Sequence, residues 1–473
     1  MTETRLGQIT GTETEGVQAF LGVPYAKPPV GERRWKPAEP VSPWGSLDAT
    51  RHGNRCLQTP YDEVLSGFEL FGEESEDCLY LNIYTPGTEG ARPVMFWIHG
   101  GAYIQGSANE YDGARLAAEN DVVVVAINYR LGIFGFLDLS RFGDEYAGSA
   151  SLGIQDQIAA LRWVRENIAD YGGDPDCVTI FGESAGGGSV CALMASPSAN
   201  DLFHRAAALS PGETLTPPLD NVTPLAAHAG VDADNLLAHL QSLSGEELRA
   251  LQVGGVFNGG VSVDGTIVTR TTSTALRNGN TVPLIIGSCR DEGTLFMPMF
   301  DIEVGEMIAM GLAVTAGNGD AANYLSCRDA IMEDADRSAK VERAWTDMFR
   351  GSVLRCGQAA TEGGAGGWVY NFNIPTDNPF GITHGSDIPF VFNQFSGGLV
   401  FHDADSPDIQ RLGALWSSTL ARFARTGDPN GGDLPAWPPY DGNSRTCLVL
   451  DLAPHTEDDP DGPAWREAYG MAS

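Results

Sequence analysis

Short runs of uninterrupted apolar residues punctuate this chain: PVMFWI at 93–98, VVVVAI at 122–127, VTIF at 178–181, PLIIG at 283–287 and WVYNF at 368–372. Continuous rather than alternating hydrophobicity predicts strands covered on both faces. Between the second and third runs lies GIQDQIAALRWVRENI, where Ile154, Ile158, Leu161, Val164 and Ile168 recur at helical spacing and predict a helix with one buried stripe. Strand, helix, strand in that order argues for a parallel sheet with crossover helices, because parallel neighbours need a connection of that length.

The opening stretches TRLGQITGTE and VQAFLGVPYA read as antiparallel hairpins leading into that sheet. The proline-rich PYAKPPVGERRWKPAEP is a connector, since proline cannot donate to a strand ladder. A late helix over QRLGALWSSTLARFARTG buries Leu412, Trp416, Leu420 and Phe423 and stops at TGDPN. Residues 220–350 are richer in helical patterns and are expected to form a helical cap or regulatory region inside a single domain spanning 1–473. The expected class is therefore α/β: a mostly parallel central sheet flanked by helices, with antiparallel N-terminal strands.

Composition adds limits. A hydrophobic fraction of 42%, with nine tryptophans and twenty phenylalanines, supplies enough apolar area to offset ordering entropy in a chain of 473 residues. Acidic residues outnumber basic ones 62 to 29, for a net charge of −33, and Lys27, Lys36 and Lys340 are the only lysines. Such a surface repels nucleic acid and anionic membranes. No continuous apolar stretch is long enough to span a bilayer, and MTETRLGQIT lacks the basic and apolar regions of a secretory signal, so a soluble chain with no membrane anchor is expected. The eight cysteines show no C-x-x-C spacing and no paired histidines, which argues against a zinc site.

Candidate chemistry begins at FGESAGGG, residues 181–188, where Gly182-Glu183-Ser184-Ala185-Gly186 fits G-x-S-x-G. In isolation that pattern also fits a serine capping a glycine-rich turn. Its context is more specific, because an apolar strand precedes it and GGGSVCALMAS can follow as a helix. That is the setting of a nucleophile elbow, which exposes the serine Oγ at a tight turn. A hydroxyl needs a base within reach, and the base needs an orienting acid. Of the histidines after Ser184, His384 in GITHGSDIPF sits at a loop on the edge of an apolar run, whereas His402 and His455 lie among aspartates and read as solvated surface. The acid is expected from PLIIGSCRDEGTLF, where Asp291 and Glu292 follow a strand end; periodicity does not choose between them. His99-Gly100-Gly101-Ala102, after the strand at 93–98, can bring backbone N–H donors close to an oxyanion.

The ordered motifs FLGVPYAKPPVGERRW, SEDCLYLNIYTP, WIHGGAY, NYRLGIFGF, LGIQDQIAALRWVRENI, FGESAGGGS, RDEGTLF, HGSDIPFVF and ARTGDPN run along nearly the whole chain. Together they resemble the type-B carboxylesterase and cholinesterase family of α/β hydrolases, most closely its bacterial para-nitrobenzyl-esterase-like members. The resemblance implies an α/β-hydrolase fold, Ser184 as nucleophile, His384 as base and Glu292 as acid. It implies oxyanion donors at Gly101, Ala102 and Ala185, the alanine at 102 standing where many relatives carry glycine. It also implies a disulfide between Cys56 and Cys78, which if oxidised argues for export and if reduced for the cytoplasm. The loop between those cysteines has no tryptophan, unlike the cholinesterases, which use one there to hold a quaternary ammonium.

The activity implied is hydrolysis of a small-molecule carboxylic ester through an acyl-enzyme, with no metal or cofactor, by a monomer or weak homo-oligomer. Glu183, Ser210 and Asp387 are candidates for a supporting polar shell, and Phe296, Met297, Trp345, Met348 and Phe392 for the substrate pocket. An amidase or peptidase using the same triad is the alternative, and a non-catalytic binding module the other; the filled triad positions argue against the latter.

Overall fold

A computed structural model describes residues 1–60, 71–213, 218, 220–253, 260–279, 282–396 and 402–471. Its centre is an eleven-stranded sheet. In chain order the strands are β1 (Thr12–Thr14), β2 (Val17–Pro24), β3 (Tyr80–Thr85), β4 (Arg92–Ile98), β5 (Val123–Ile127), β6 (Gly173–Glu183), β7 (Arg205–Leu209), β8 (Leu284–Cys289), β9 (Gly367–Phe372), β10 (Thr446–Leu450) and β11 (His455–Asp458). Across the sheet they run β11-β10-β9-β8-β7-β6-β4-β5-β3-β2-β1. The stretch from β10 to β5 is parallel, with Phe181 opposite Trp97 and Gly182 opposite Ile98, while both margins are antiparallel.

The uninterrupted apolar runs are explained by what covers each face. In β4, Val94, Phe96 and Ile98 join one core with Ile154, Ile158 and Leu161 of helix α1 (Leu152–Asn167). The alternate residues Met95 and Trp97 join a second core with Leu412, Trp416 and Leu420 of α6 (Pro407–Thr426). Polar alternation has no place in a strand buried on both sides. Between these two come α2 (Ala185–Met194), α3 (Ile302–Ala316), α4 (Arg337–Glu362) and the short α5 (Ile388–Phe392).

One detail differs from the sequence reading. Thr2–Thr4 and Gly7–Thr10 do pair antiparallel, but they form a separate small sheet with Ser46–Asp48 rather than entering the main one. The strand expected at 283–287 is β8, which lies inside the sheet between β7 and β9; its apolar Leu284-Ile285-Ile286 is covered on both faces. Among the described residues no helix is long and apolar enough to cross a membrane.

Candidate active site

The strand β6 ends at Glu183 and α2 begins at Ala185, leaving Ser184 alone at the bend with φ 59° and ψ −122°. A residue with a Cβ is strained there, and strain of this kind persists only where the surroundings impose it. Here β6 is clamped between β4 and β7, and the Ser184 N–H donates to the Leu209 carbonyl at 3.0 Å. Gly186 permits the close packing of α2, since a Cβ on it would stand 2.0 Å from the Ile98 carbonyl oxygen. The Ser184 hydroxyl makes no capping bond to the helix it precedes, so it is not tied up as an N-cap.

His384 lies in the loop after β9, almost wholly buried. Its Nδ1 hydrogen-bonds Glu292 Oε2. Glu292 is fully buried, and its Oε1 accepts from Ser210 Oγ at 2.6 Å and from the Cys289 N–H at 2.6 Å. With a carboxylate at Nδ1 the proton sits there and Nε2 is the basic nitrogen. The neighbouring Asp291 is turned away, ion-paired with Arg290 at 2.8 Å and accepting the Ile382 N–H at 3.2 Å.

On its other side, His384 Nε2 lies 3.2 Å from Glu183 Oε1. The Glu183 carboxylate and Ser184 flank the same small residue: a point 1 Cβ out from Gly100 is 3.0 Å from Glu183 Oε2 and 3.1 Å from Ser184 Cβ. Among the described residues no hydrogen bond joins Ser184 Oγ to the ring; such contacts are often long before substrate binds. Burial pushes the Glu183 carboxyl up to about 8, against the pull of His384. Burial opposes charge on His384 too, but the flanking Glu183 and Glu292 outweigh it and hold the imidazole up at about 9. Burial also raises Asp387 to about 6, while Tyr370 Oη donates to it at 2.7 Å.

The loop after β4 supplies the candidate oxyanion donors. Gly101 and Ala102 have φ of 103° and 53°, and the Gly101 carbonyl accepts the N–H groups of Ile104 and Gln105, both at 3.0 Å. A Cβ on Gly101 would stand 2.1 Å from the Gln105 carbonyl oxygen, so only glycine fits this turn. Among the described residues the N–H groups of Gly101 and Ala102 donate to no protein acceptor. Ala185, in the first turn of α2, has an N–H with no partner inside its helix. His99 braces the loop: it stacks on Tyr129 at 4.5 Å, and Tyr129 Oη donates to its carbonyl at 3.0 Å. Burial drives His99 down to about 4, which leaves it neutral at pH 7.

Beside the triad candidates opens a cavity of about 490 Å³ whose walls include Phe296, Met297 and Trp345. Met348 and Phe392 do not line it. Phe392 is instead buried against Trp97, Tyr111 and Phe181, a core position of the short helix α5. A residue that the sequence reading missed is Phe349, stacked on the His384 ring at 4.5 Å. It stands four places after Trp345 on α4, so helical spacing could have found it.

His402 is a correction. Its aspartate neighbours suggested solvent, yet the ring is buried edge-on against Phe390 and Phe372, with Nε2 3.3 Å from the Ile374 carbonyl oxygen. His455 is exposed. Cys56 and Cys78 are both buried and unbridged, so the implied disulfide stands here as a thiol pair. Cys56 Sγ accepts the Leu131 N–H at 3.3 Å, and hydrogen bonding to Cys56, with burial, pushes the Cys78 thiol well up. Among the described residues no group of His, Cys, Asp and Glu is arranged to hold a metal ion.

Comparison with known proteins gives one answer throughout. The model of the Carboxylesterase family matches residues 1–462. The para-nitrobenzyl esterase of Bacillus subtilis (strain 168) is 36% identical, covering 98% of this chain and 98% of that protein. The cocaine esterase of Homo sapiens is 36% identical over 95% of this chain and 88% of its own length. Among solved structures, a carboxylesterase of Geobacillus stearothermophilus superposes with a TM-score of 0.85 at 37% identity, covering 99% of each chain. A PNB esterase structure gives a TM-score of 0.88 at 32% identity, also covering 99% of each.

Proposed function

The chain belongs to the carboxylesterase family and is a carboxylic ester hydrolase with an α/β-hydrolase fold, and from that premise we propose that Ser184, His384 and Glu292 carry its reaction. The observation that supports this reading is the placing of one buried imidazole: Nδ1 bonds Glu292, and Nε2 faces the end of β6 that carries the serine. In the first half, Ser184 Oγ attacks the ester carbonyl carbon as its proton passes to His384 Nε2. The N–H groups of Gly101, Ala102 and Ala185 receive the negative charge that develops on the carbonyl oxygen. The tetrahedral intermediate collapses, His384 returns the proton to the departing alkoxide, and an acyl-serine remains with free alcohol.

In the second half, His384 takes a proton from water as it attacks the acyl carbon. Collapse returns the proton from His384 Nε2 to the departing Ser184 Oγ and releases the carboxylic acid. Glu292 stays ionised throughout and stabilises the imidazolium. Ser210 and the Cys289 N–H fix its carboxylate, and Phe349 fixes the ring. The aromatic walls near His384 favour short-chain or aromatic esters, taken by a monomer or weak homo-oligomer.

Replacing Ser184 with alanine should lower turnover of para-nitrophenyl acetate by ~10⁶. Activity within tenfold of the native chain removes Ser184 from the role. An amidase would share this chemistry, and rates on a matched ester and amide separate the two readings.

A further inference from the structure

The cavity beside His384 does not have Ser184 or the oxyanion loop in its walls, and its chemistry is of one kind. Phe296, Phe300, Trp345 and Phe380 supply aromatic surface, and among the described residues of its wall Asp301 and Glu342 supply the only charged side chains. The rings form a column. Phe300 is parallel to Trp345 within 8° at 6.2 Å, Trp345 stacks on Phe296 at 4.4 Å, and Phe296 meets the His384 ring at 5.2 Å. Its outer end, Phe300, is 39% exposed, so the column runs from solvent to the base.

The two carboxylates are not equally committed. Asp301 Oδ1 caps α3 by accepting the Val304 N–H at 2.9 Å. The Glu342 side chain, half-buried, makes no hydrogen bond or ion pair among the described residues. The adjacent Arg343 acts on it only through space, because that guanidinium is held by Asp347 at 2.7 Å, by Tyr469 Oη at 2.8 Å and over the Trp465 ring at 3.8 Å. Burial and the nearby Asp291 push the Glu342 carboxyl up, against a smaller pull from Arg343.

We propose that this cavity is a binding site for an organic cation bearing an apolar or aromatic body, with the ammonium held between Glu342 and the Trp345–Phe300 wall. An anion would be repelled by both carboxylates, and a cationic group gains a contact with Glu342 that a neutral ester on the same walls does not make. A cation placed over an aromatic face gains from the ring quadrupole and from the carboxylate together. The net charge of −33 draws such ligands toward the protein. The site does not depend on the triad assignment, since it uses neither Ser184 nor Glu292. It also differs in place from the choline-binding tryptophan of cholinesterases, whose loop here carries none.

Calorimetric titration of the full chain with benzyltrimethylammonium tests this, with benzyl alcohol as the same ring without the charge. Saturable binding of the cation is expected, at least tenfold tighter than the alcohol. Glu342→Gln should weaken it about fivefold and Trp345→Leu about tenfold, the sizes expected of a screened ion contact and a cation–π contact. Thermal melting establishes that each variant is folded; should Trp345→Leu not be, the half-exposed Glu342→Gln carries the test alone. No saturation up to about 10 mM, equal affinity for the alcohol, or unchanged affinity in Glu342→Gln overturns the proposal.

Discussion

Glu183 and His384 face each other at 3.2 Å, the carboxylate on the nitrogen that accepts the serine proton in the proposed reaction. This contact makes the base harder to deprotonate: Glu183 is the largest influence favouring the charged ring, which stands at about 9 against burial. Esterase activity through a neutral base therefore climbs as pH rises through the imidazole pKa of the free enzyme. Removing the negative charge destabilises the imidazolium, so Glu183→Gln should move the inflection of kcat/KM to lower pH. A profile on a neutral ester from about pH 5 to about pH 10 measures the shift. An inflection that stays in place shows that Glu183 does not act on the base.

Much of this arrangement was legible in the chain. The apolar runs at β4, β5 and β6 announced a covered parallel sheet, and the strand, glycine-serine turn and helix order marked Ser184. What local pattern does not encode depends on tertiary contacts. Asp291 and Glu292 are adjacent carboxylates past one strand, and the short turn Glu292–Leu295 directs only Glu292 inward to His384, leaving Asp291 beside Arg290. His402 keeps polar neighbours in sequence while its ring packs under Phe390, which no local pattern encodes. Phe392 and Phe349 look alike in composition, yet one packs on Trp97 and the other on the His384 ring.

Glu292→Gln keeps the shape of the acid but removes the charge that holds the Nδ1 proton. On the triad reading kcat should fall by ~10⁴ with KM little changed. Ser210→Ala deletes only one of the bonds to Oε1, and a loss of about tenfold is expected, matching a charge-assisted hydrogen bond. Steady-state kinetics on one ester compare them, and a Glu292→Gln enzyme within tenfold of native activity rules out this carboxylate as the orienting acid.

Stability has its own focus away from the reaction. Arg130 and Asp156 form a buried pair at 2.6 Å with side-chain exposures of 3% and 0%, and Asp156 also accepts the Arg130 backbone N–H at 3.1 Å. Asp156→Ala leaves that guanidinium buried and uncompensated, which should cost about 3–5 kcal/mol. Denaturant unfolding reads the loss. A change within about 0.5 kcal/mol shows that the guanidinium finds another partner.

The central claim is that Ser184 becomes covalently attached to the substrate's electrophilic centre, and a phosphonylating ester tests it without dependence on the rate of acyl hydrolysis. The full chain is treated with a para-nitrophenyl alkylphosphonate, the released para-nitrophenol is counted, and the adduct is located by peptide mass spectrometry. The account predicts one equivalent released per chain, loss of esterase activity in step, and the adduct on Ser184. An adduct on another residue, or inactivation that leaves Ser184 unmodified, contradicts it.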